Sequence, residues 1–264
     1  MNACSIEINK IYEADVNHFL SFLQDNSIDL VIADPPYNLK KGLWDDFNSD
    51  KEYFSFTFNW LNNLIPKLKD NSSLYLFNTP YNAAIILNYL IQTPLIFRNW
   101  ITWYKKDGFS VSKRKYVNAQ ETILFYTLGN NYIFNYDDIR IEYTSKKRME
   151  HANKKGILKD GKRWYPNPAG KLCIDVWEFS SYRHNNKVNG KIVKSKHPTP
   201  KPEKLIERMI LASSNEDSIV LDLFSGIGTT SFLAKKLGRK FIGCESNKEF
   251  CLLIEQKGIK VGTL

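Results

Sequence analysis

The sequence predicts an α/β fold, with a parallel-rich sheet that carries helices on both faces. Short β-rich apolar runs alternate with segments whose apolar residues recur at helical spacing, along residues 6–127 and again along 200–261. The 264 residues are 43% apolar and 25% charged, as in ordinary globular proteins. This composition excludes a disordered, collagen-like or coiled-coil chain.

The first half predicts two strand–helix units. Residues 6–12 alternate as a half-buried strand does, Asp15 is suited to cap a helix over 16–23, and residues 27–33 form a β-rich strand that ends at Asp34. The second unit is predicted as a helix at 53–68, a strand at 73–77, a helix at 82–91, and strands at 97–104 and 121–127.

The last third returns to the same alternation. Its predicted elements are a helix at 203–213, a strand at 218–224, a turn at 225–230, a helix at 230–237, a strand at 240–244 that ends at Glu245, and a helix at 247–257.

The middle of the chain lacks this periodicity. Residues 129–196 are rich in Asn, Lys, Tyr, Gly and Pro. A stretch this long without regular structure is unusual as a simple connector, so we interpret it as an inserted module with its own role. The chain then divides into residues 1–128, 129–196 and 197–264.

Positive charge is concentrated in the central third. The chain has a net charge of +9, of which residues 127–200 carry +8 and residues 98–116 carry +5, leaving the rest mildly acidic. A solvated lysine surface is one explanation of either cluster. Two adjacent clusters beside an acidic body favour a surface that binds a phosphate backbone.

Three features of the sequence indicate the cellular compartment of the protein. The longest nearly apolar run, 83–91, is about half the length of a membrane-spanning helix, and the N-terminus lacks the pattern of a signal peptide. The four cysteines form no CxxC pair, and neither cysteines nor histidines have metal-ligand spacing. We therefore expect a cytoplasmic protein with reduced thiols and no metal.

The strongest local motif is the tetrapeptide Asp34-Pro35-Pro36-Tyr37 at the end of a predicted strand, where ligands bind in open α/β sheets. Two prolines fix the turn. Asp34 and the Pro35 carbonyl are suited to accept both hydrogens of a planar amine, while the Tyr37 ring stacks on its heterocycle. A purely structural turn is the alternative.

A second motif, residues 222–230, joins a predicted strand to a helix. Gly226 and Gly228 allow a tight turn with close backbone approach to a ligand, although Ser231 replaces the third glycine of a dinucleotide fingerprint. Glu245, 19 residues beyond Gly226, has the position of a ribose-binding acid. A structural turn and a solvated glutamate are the alternatives.

Together these motifs resemble those of the S-adenosyl-L-methionine-dependent DNA amino-methyltransferases. The catalytic tetrapeptide comes first, a variable region follows and the cofactor loop comes last, an order that resembles the β class. Residues 97–103, 120–125 and 197–202 resemble further motifs of this class, and the resemblance covers nearly the whole chain. It extends to the MboII-type adenine-N6 methylases of restriction–modification systems.

The resemblance implies a Rossmann-like methyltransferase sheet with circularly permuted motif order. The strand at 6–12 and Asp15 would supply the piece that is missing after Glu245, which makes Asp15 a candidate for the cofactor adenine as well as an N-cap. Lys201 would meet the methionine carboxylate, with Thr199 close by, and Phe224 would stack near the cofactor or the flipped base. The full cofactor set is Asp15, Asp34, Thr199, Lys201, Asp222, Phe224, Ser225, Gly226, Gly228, Thr229, Thr230 and Glu245.

The implied activity is methyl transfer to N6 of an adenine flipped out of double-stranded DNA, in a short asymmetric site. Cytosine-N4 methylation and an inactive nucleic-acid binder are the alternatives; related cytosine enzymes usually carry Ser at the position of Asp34. A homodimer, a cognate endonuclease and a second methylase are the further partners implied.

Residues 129–196 become the target-recognition region, and residues 38–50 a cover for the bound base. The predicted DNA contacts are Trp44, Lys105, Lys106, Arg114, Arg148, Lys154, Lys155, Arg163 and Arg183.

Overall fold

A computed structural model describes residues 6–106, 113–180, 186–188, 191–193 and 200–264. The strands are β1 (Lys10–Glu13), β2 (Ile28–Ala33), β3 (Leu68–Asn78), β4 (Ile96–Tyr104), β5 (Gln120–Thr127), β6 (Ile157–Lys159), β7 (Lys162–Trp164), β8 (Val176–Glu178), β9 (Asn186–Val188), β10 (Lys191–Val193), β11 (Ile219–Asp222), β12 (Lys240–Glu245) and β13 (Lys260–Thr263). The helices are α1 (Val16–Phe22), α2 (Asp50–Leu64), α3 (Pro80–Leu90), α4 (Lys146–Lys155), α5 (Glu203–Ser213), α6 (Thr229–Lys236) and α7 (Lys248–Gln256).

Nine of these strands form one sheet in the order β13-β1-β12-β11-β2-β3-β5-β4-β8. Neighbouring strands are parallel, except that β5 runs antiparallel to both β3 and β4. The predicted parallel-rich α/β sheet is therefore confirmed. Its carboxyl-terminal edge is where β2, β11 and β12 end, and because β5 is reversed, the amino end of β5 lies at this same edge.

The N-terminal strand completes the C-terminal half of the sheet, as the permuted order predicts. β1 lies between β12 and β13 and is parallel to both, with Glu13 opposite Glu245. The predicted bounds of 6–12 are wrong, because the chain turns before the strand. Asn9 has a left-handed φ of 64° and is bonded to the backbone of Phe241, so β1 begins only at Lys10.

Both faces of the sheet are covered by helices. Along β2, Val31 packs into a core with α1, α2 and α3, while Leu30 and Ile32 pack into a second core with α5, α6 and α7. Every residue of β2 is buried, which explains why its sequence is apolar at every position except Asp29.

The middle segment joins the main sheet instead of lying wholly apart from it. β8 pairs with β4, placing the buried Trp177 opposite Trp103, and the Asn135 amide donates to the carbonyls of Leu211 and Ser214 at the end of α5. In contrast, α4 and the β6–β7 hairpin carry largely exposed side chains. No helix in the described part of the chain is long and apolar enough to cross a membrane.

Candidate active site

The carboxyl-terminal edge of the sheet opens onto a cavity of about 260 Å³. Fourteen of the residues predicted for the site line it: Asp15, Asp34, Pro35, Pro36, Tyr37, Trp44, Lys201, Asp222, Phe224, Ser225, Gly226, Thr229, Thr230 and Glu245. Gly228 lies behind the lining as the N-cap of α6, and Thr199 lies outside the described residues. The two motifs, distant in sequence, thus share one cavity.

Both oxygens of Asp34 have partners inside the protein. The Tyr37 hydroxyl lies 2.7 Å from Asp34 Oδ1, and Lys201 Nζ lies 2.5 Å from Asp34 Oδ2. Burial, together with the negative charges of Asp34 and Glu121, raises the pKa of Tyr37 well above its usual value. Tyr37 is therefore a neutral hydroxyl donor at physiological pH.

Lys201 is surrounded by carboxylates and aromatic rings. Its Nζ lies 3.6 Å from Glu121 Oε2 and 5.2 Å from the centre of the Phe77 ring. Burial opposes its charge, but the charges of Asp34 and Glu121 outweigh burial and raise the pKa of Lys201. The lysine is thus a fixed ammonium group next to the predicted amine-binding carboxylate.

The chain after the catalytic turn folds around one buried carboxylate. Asp45 Oδ1 accepts from the backbone N–H groups of Tyr37 and Asn38, at 2.6 and 2.8 Å, and Oδ2 accepts from those of Leu39 and Lys41, at 3.0 and 3.2 Å. Asp45 is only 1% exposed. The predicted cover at 38–50 is therefore anchored next to Tyr37 by a single side chain.

The glycine-rich loop has the backbone geometry that its sequence predicts. Gly226 and Gly228 have φ values of 54° and 76°, in the region that favours glycine. A Cβ on Gly228 would also press on Ile254 at 3.3 Å. The loop therefore brings its backbone into the cavity wall at the start of α6.

Glu245 holds this loop in place. Its Oε2 accepts from Gly226 N at 2.7 Å and its Oε1 accepts from Asn247 N at 2.8 Å. Burial raises the pKa of Glu245, although these backbone bonds act in the opposite direction. Asp222, close behind, is almost fully buried, and burial raises its pKa to about 7.

Asp15 is an N-cap, as predicted. Its Oδ1 accepts from the backbone N–H groups of Asn17 and His18, at 2.9 and 3.2 Å. The side chain also lines the cavity, on the side of Glu245, because Ala14 N donates to the Glu245 carbonyl. Capping and ligand binding are compatible, since Oδ2 takes no part in the cap.

Comparison with known proteins identifies the family. The N6/N4 methyltransferase model, described as DNA methylase, matches residues 28–256. The chain belongs to this family of DNA methylases. It is 53% identical over 245 residues to Type II methyltransferase M1.MboII of Moraxella bovis, covering 93% of this chain and 94% of that protein. It is also 36% identical to M.HpaI of Haemophilus parainfluenzae, over 90% of this chain and 70% of that protein.

Solved structures of DNA methylases share the fold. The structure of the M1.HpyAVI–SAM complex has a TM-score of 0.62 at 23% identity, covering 94% of this chain and 98% of that one. PvuII DNA methyltransferase, described as cytosine-N4-specific, has a TM-score of 0.66 at 18% identity, covering 94% and 85%. The methyltransferase fold and a DNA substrate, both implied by the family resemblance, are confirmed.

The DNA contacts predicted for this methylase occupy different environments. Lys105 is ion-paired with the buried Glu121 and points into the site, whereas Lys106 pairs with Glu178 at 2.6 Å in an exposed position. Trp44 lines the cavity and is half-buried. Arg114, Lys154, Lys155 and Arg163 are also exposed, and Arg163 donates to the Lys155 carbonyl. Arg183 and the side chain of Arg148 lie outside the described residues.

Two polar residues of the site were not singled out by sequence reasoning. Asp45 lay in a segment treated only as a cover, and Glu121 lay in a motif assigned no role. The available signal for Glu121 was a carboxylate near the start of a β-rich strand. For Asp45 it was an acid eight residues beyond Tyr37, but no local pattern distinguishes it from its neighbour Asp46.

Proposed function

We propose that this DNA methylase transfers a methyl group from S-adenosyl-L-methionine to N6 of a flipped-out adenine in a short asymmetric DNA site. The observation that carries the proposal is the shared cavity. The carboxylate of Asp34 and the turn at Pro35 lie in the same cavity as the loop of Gly226. The identity to M1.MboII over most of both chains supports this assignment.

The residues of the cavity fit this cofactor chemically. At one end are the carboxylates of Asp15 and Glu245, acceptors suited to amino and ribose hydroxyl groups, and at the other is the ammonium group of Lys201, suited to a carboxylate. The ring of Phe224 lies on the wall between them, packed edge-on against Trp60. When bound, the cofactor supplies an electrophilic methyl group on a sulfonium.

Asp34 and Pro35 act on the nucleophile. The lone pair of an aromatic amine is conjugated into its ring, which makes the nitrogen a poor nucleophile. Hydrogen bonds from the amine to the Asp34 carboxylate and the Pro35 carbonyl favour a tetrahedral nitrogen and free the lone pair. Held in this way, the nitrogen would present its lone pair to the methyl group that the bound cofactor would supply, and the extra amine proton would then pass to solvent.

Positioning supplies much of the rate. A nitrogen held about 3–3.5 Å from the methyl carbon reacts as though at very high local concentration. Tyr37 assists by stacking on the base, and the carboxylate of Asp34 matches the positive charge of the sulfonium. A base within a duplex cannot reach this cavity, so it leaves the stack at a cost of a few kcal/mol.

The segment 129–196 is proposed to recognise the target sequence. Its exposed basic groups on α4 and β7 suit contacts with phosphates and guanine edges. The type II relatives support a place in a restriction–modification system, acting in the cytoplasm. A cognate endonuclease, a second methylase for the other strand and a homodimer belong to the same proposal.

Analysis of the methylated base tests the proposal. Purified protein is incubated with labelled cofactor and unmodified duplex DNA, and the DNA is digested to nucleosides. We expect labelled N6-methyladenine. Labelled N4-methylcytosine would overturn the choice of base, which the fold leaves open because a cytosine-N4-specific enzyme shares it. Absence of any labelled nucleoside would favour an inactive nucleic-acid binder.

A further inference from the structure

Two carboxylates of the active site share the same two donors. The Tyr37 hydroxyl lies 2.7 Å from Asp34 Oδ1 and 3.2 Å from Glu121 Oε2. Lys201 Nζ lies 2.5 Å from Asp34 Oδ2 and 3.6 Å from that same Glu121 oxygen. Each donor is therefore nearer to Asp34 and has Glu121 as its second acceptor.

The reversal of β5 explains why Glu121 lies here. Glu121 is the second residue of β5 and lies opposite Trp103 near the end of β4. Had β5 run parallel to its neighbours, its first residues would lie at the opposite edge of the sheet, far from Asp34. The antiparallel direction thus places a carboxylate that follows no catalytic motif beside the catalytic turn.

The environment of Glu121 keeps it ionised. Burial alone would raise its pKa, but the charges of Lys201 and Lys105 outweigh burial and lower it. Its other oxygen, Oε1, is ion-paired with Lys105. Asp34, Glu121, Lys105 and Lys201 together form a set with two negative and two positive charges.

The proposed role of Asp34 creates a conflict that Glu121 can resolve. Asp34 has to accept a hydrogen bond from the target amine, which competes with the donors that both of its oxygens already have in the protein. An ammonium group has three donor hydrogens, so Lys201 can contact the cofactor carboxylate proposed above and still needs an acceptor for the hydrogen that Asp34 gives up. Glu121 Oε2 is the described acceptor within reach of both donors.

We propose that Glu121 is a positioning residue that receives the Tyr37 hydroxyl and the Lys201 ammonium as the target amine binds to Asp34. No covalent bond changes in this exchange, and Lys201 keeps its proton. Lys105 holds Glu121 Oε1, which leaves Oε2 directed at the two incoming donors. This inference rests on the proposed role of Asp34 as the amine acceptor.

The test is Glu121→Gln, which keeps the size of the side chain and removes its charge. We expect kcat/KM for unmodified plasmid DNA to fall by about 10- to 100-fold, the effect of losing a hydrogen bond to a charged group. The Kd for S-adenosyl-L-methionine, measured by calorimetry, should stay within about 3-fold of wild type, and circular dichroism should show a folded protein. The matched control is Glu7→Gln, which breaks the exposed pair with Lys10 at the start of β1, away from the cavity and from the proposed recognition segment, and should leave kcat/KM unchanged.

A double variant separates an acceptor role from simple charge balance. Glu121→Met combined with Lys105→Met restores neutrality to the cluster and leaves no acceptor at position 121. We expect the double variant to remain at least as slow as Glu121→Gln. Recovery to the wild-type rate would overturn the proposal, because Glu121 would then serve only to neutralise Lys105.

A failure of the role proposed for Glu121 can be told apart from a failure of the proposed function. If wild-type protein forms N6-methyladenine and Glu121→Gln does so at the wild-type kcat/KM, the role of Glu121 is wrong and the function stands. If wild-type protein labels no adenine in the same assay, the proposed function itself is wrong.

Discussion

Charged side chains are buried and paired at the active-site edge, whereas they are exposed on α4 and the β6–β7 hairpin of the segment 129–180. At the edge, Lys201 and Glu121 have side chains only 10% and 11% exposed and are paired with opposite charges. On α4 and the β6–β7 hairpin, Lys154 and Lys155 are exposed, and so are the apolar side chains of neighbouring residues such as Trp164, at 60%. A buried charge is restricted to a few fixed partners, whereas an exposed one can meet a phosphate from many directions. The first arrangement suits chemistry on one atom and the second suits binding to a polymer.

Asp34→Ala tests the chemistry proposed for the active-site edge, and it has the largest expected effect. The variant removes the proposed acceptor of the amine, and we expect single-turnover methylation to slow by about 10³-fold. Binding of S-adenosyl-L-methionine, measured by calorimetry, should persist, because most of the cavity wall remains. A rate close to that of wild type would show that Asp34 does not bind the amine.

Replacement of Asp45 should affect stability as well as rate. Asp45→Ala leaves four backbone N–H groups without their shared acceptor, so we expect the free energy of unfolding to fall by about 3 kcal/mol in urea titrations. Asp46→Ala is the matched control, since Asp46 is half-exposed and lies 3.8 Å from Lys40. Its effect should stay below about 0.5 kcal/mol. Equal effects of the two variants would mean that the loop does not depend on Asp45.

The pKa of Asp222 predicts a dependence of stability on pH. Because burial raises this pKa to about 7 in the folded protein, the folded state holds a proton that the unfolded state has lost above its ordinary pKa. Stability from this group therefore decreases as the pH rises from about 4 to about 7, by about 3 kcal/mol. Asp222→Asn should flatten that part of the profile. Asp160→Asn, at an exposed turn, should not, and a profile unchanged by Asp222→Asn would exclude this group as the cause.

The smallest expected effect concerns the exposed lysines. Neutralising Lys154 and Lys155 with Gln should weaken DNA binding and reduce the slope of log K against log salt by about 2, one for each phosphate contact. Lys235 and Lys236 form the control, because they are also exposed and also end a helix, but that helix begins at the cavity and ends away from it. If both pairs of substitutions reduce the slope equally, the end of α4 is not part of the DNA interface.

Sequence reasoning found the parts of the site that are local. The Asp34 turn and the Gly226 loop each follow a buried strand directly, so their positions depend on a few neighbouring residues. The placement of β1 beside β12 came from the order of motifs, through the family resemblance, whereas the outer strand β13 was not predicted.

The positions of Glu121, Asp45 and β8 depend on tertiary contacts that no local sequence pattern encodes. Glu121 reaches the site because β5 is reversed, and a strand's direction in a sheet is not written in its own sequence. Asp45 accepts backbone hydrogen bonds because the loop after Tyr37 folds back around it, whereas the neighbouring Asp46 points outward. β8 is only three residues long and lies in a segment without periodicity, so its pairing with β4 had no signal in the sequence.

The pairing of β8 has a consequence for protein engineering. Trp177 on β8 lies opposite Trp103 on β4, and Trp103 lies opposite Glu121 on β5. The segment 129–196 is therefore separated from Glu121 by a single strand, β4. A chimaera that takes residues 129–196 from another methylase would replace the edge strand of the sheet along with the proposed DNA-binding surface. Grafts intended to change sequence specificity should therefore keep this methylase's own residues 176–178 and exchange only the chain that precedes them.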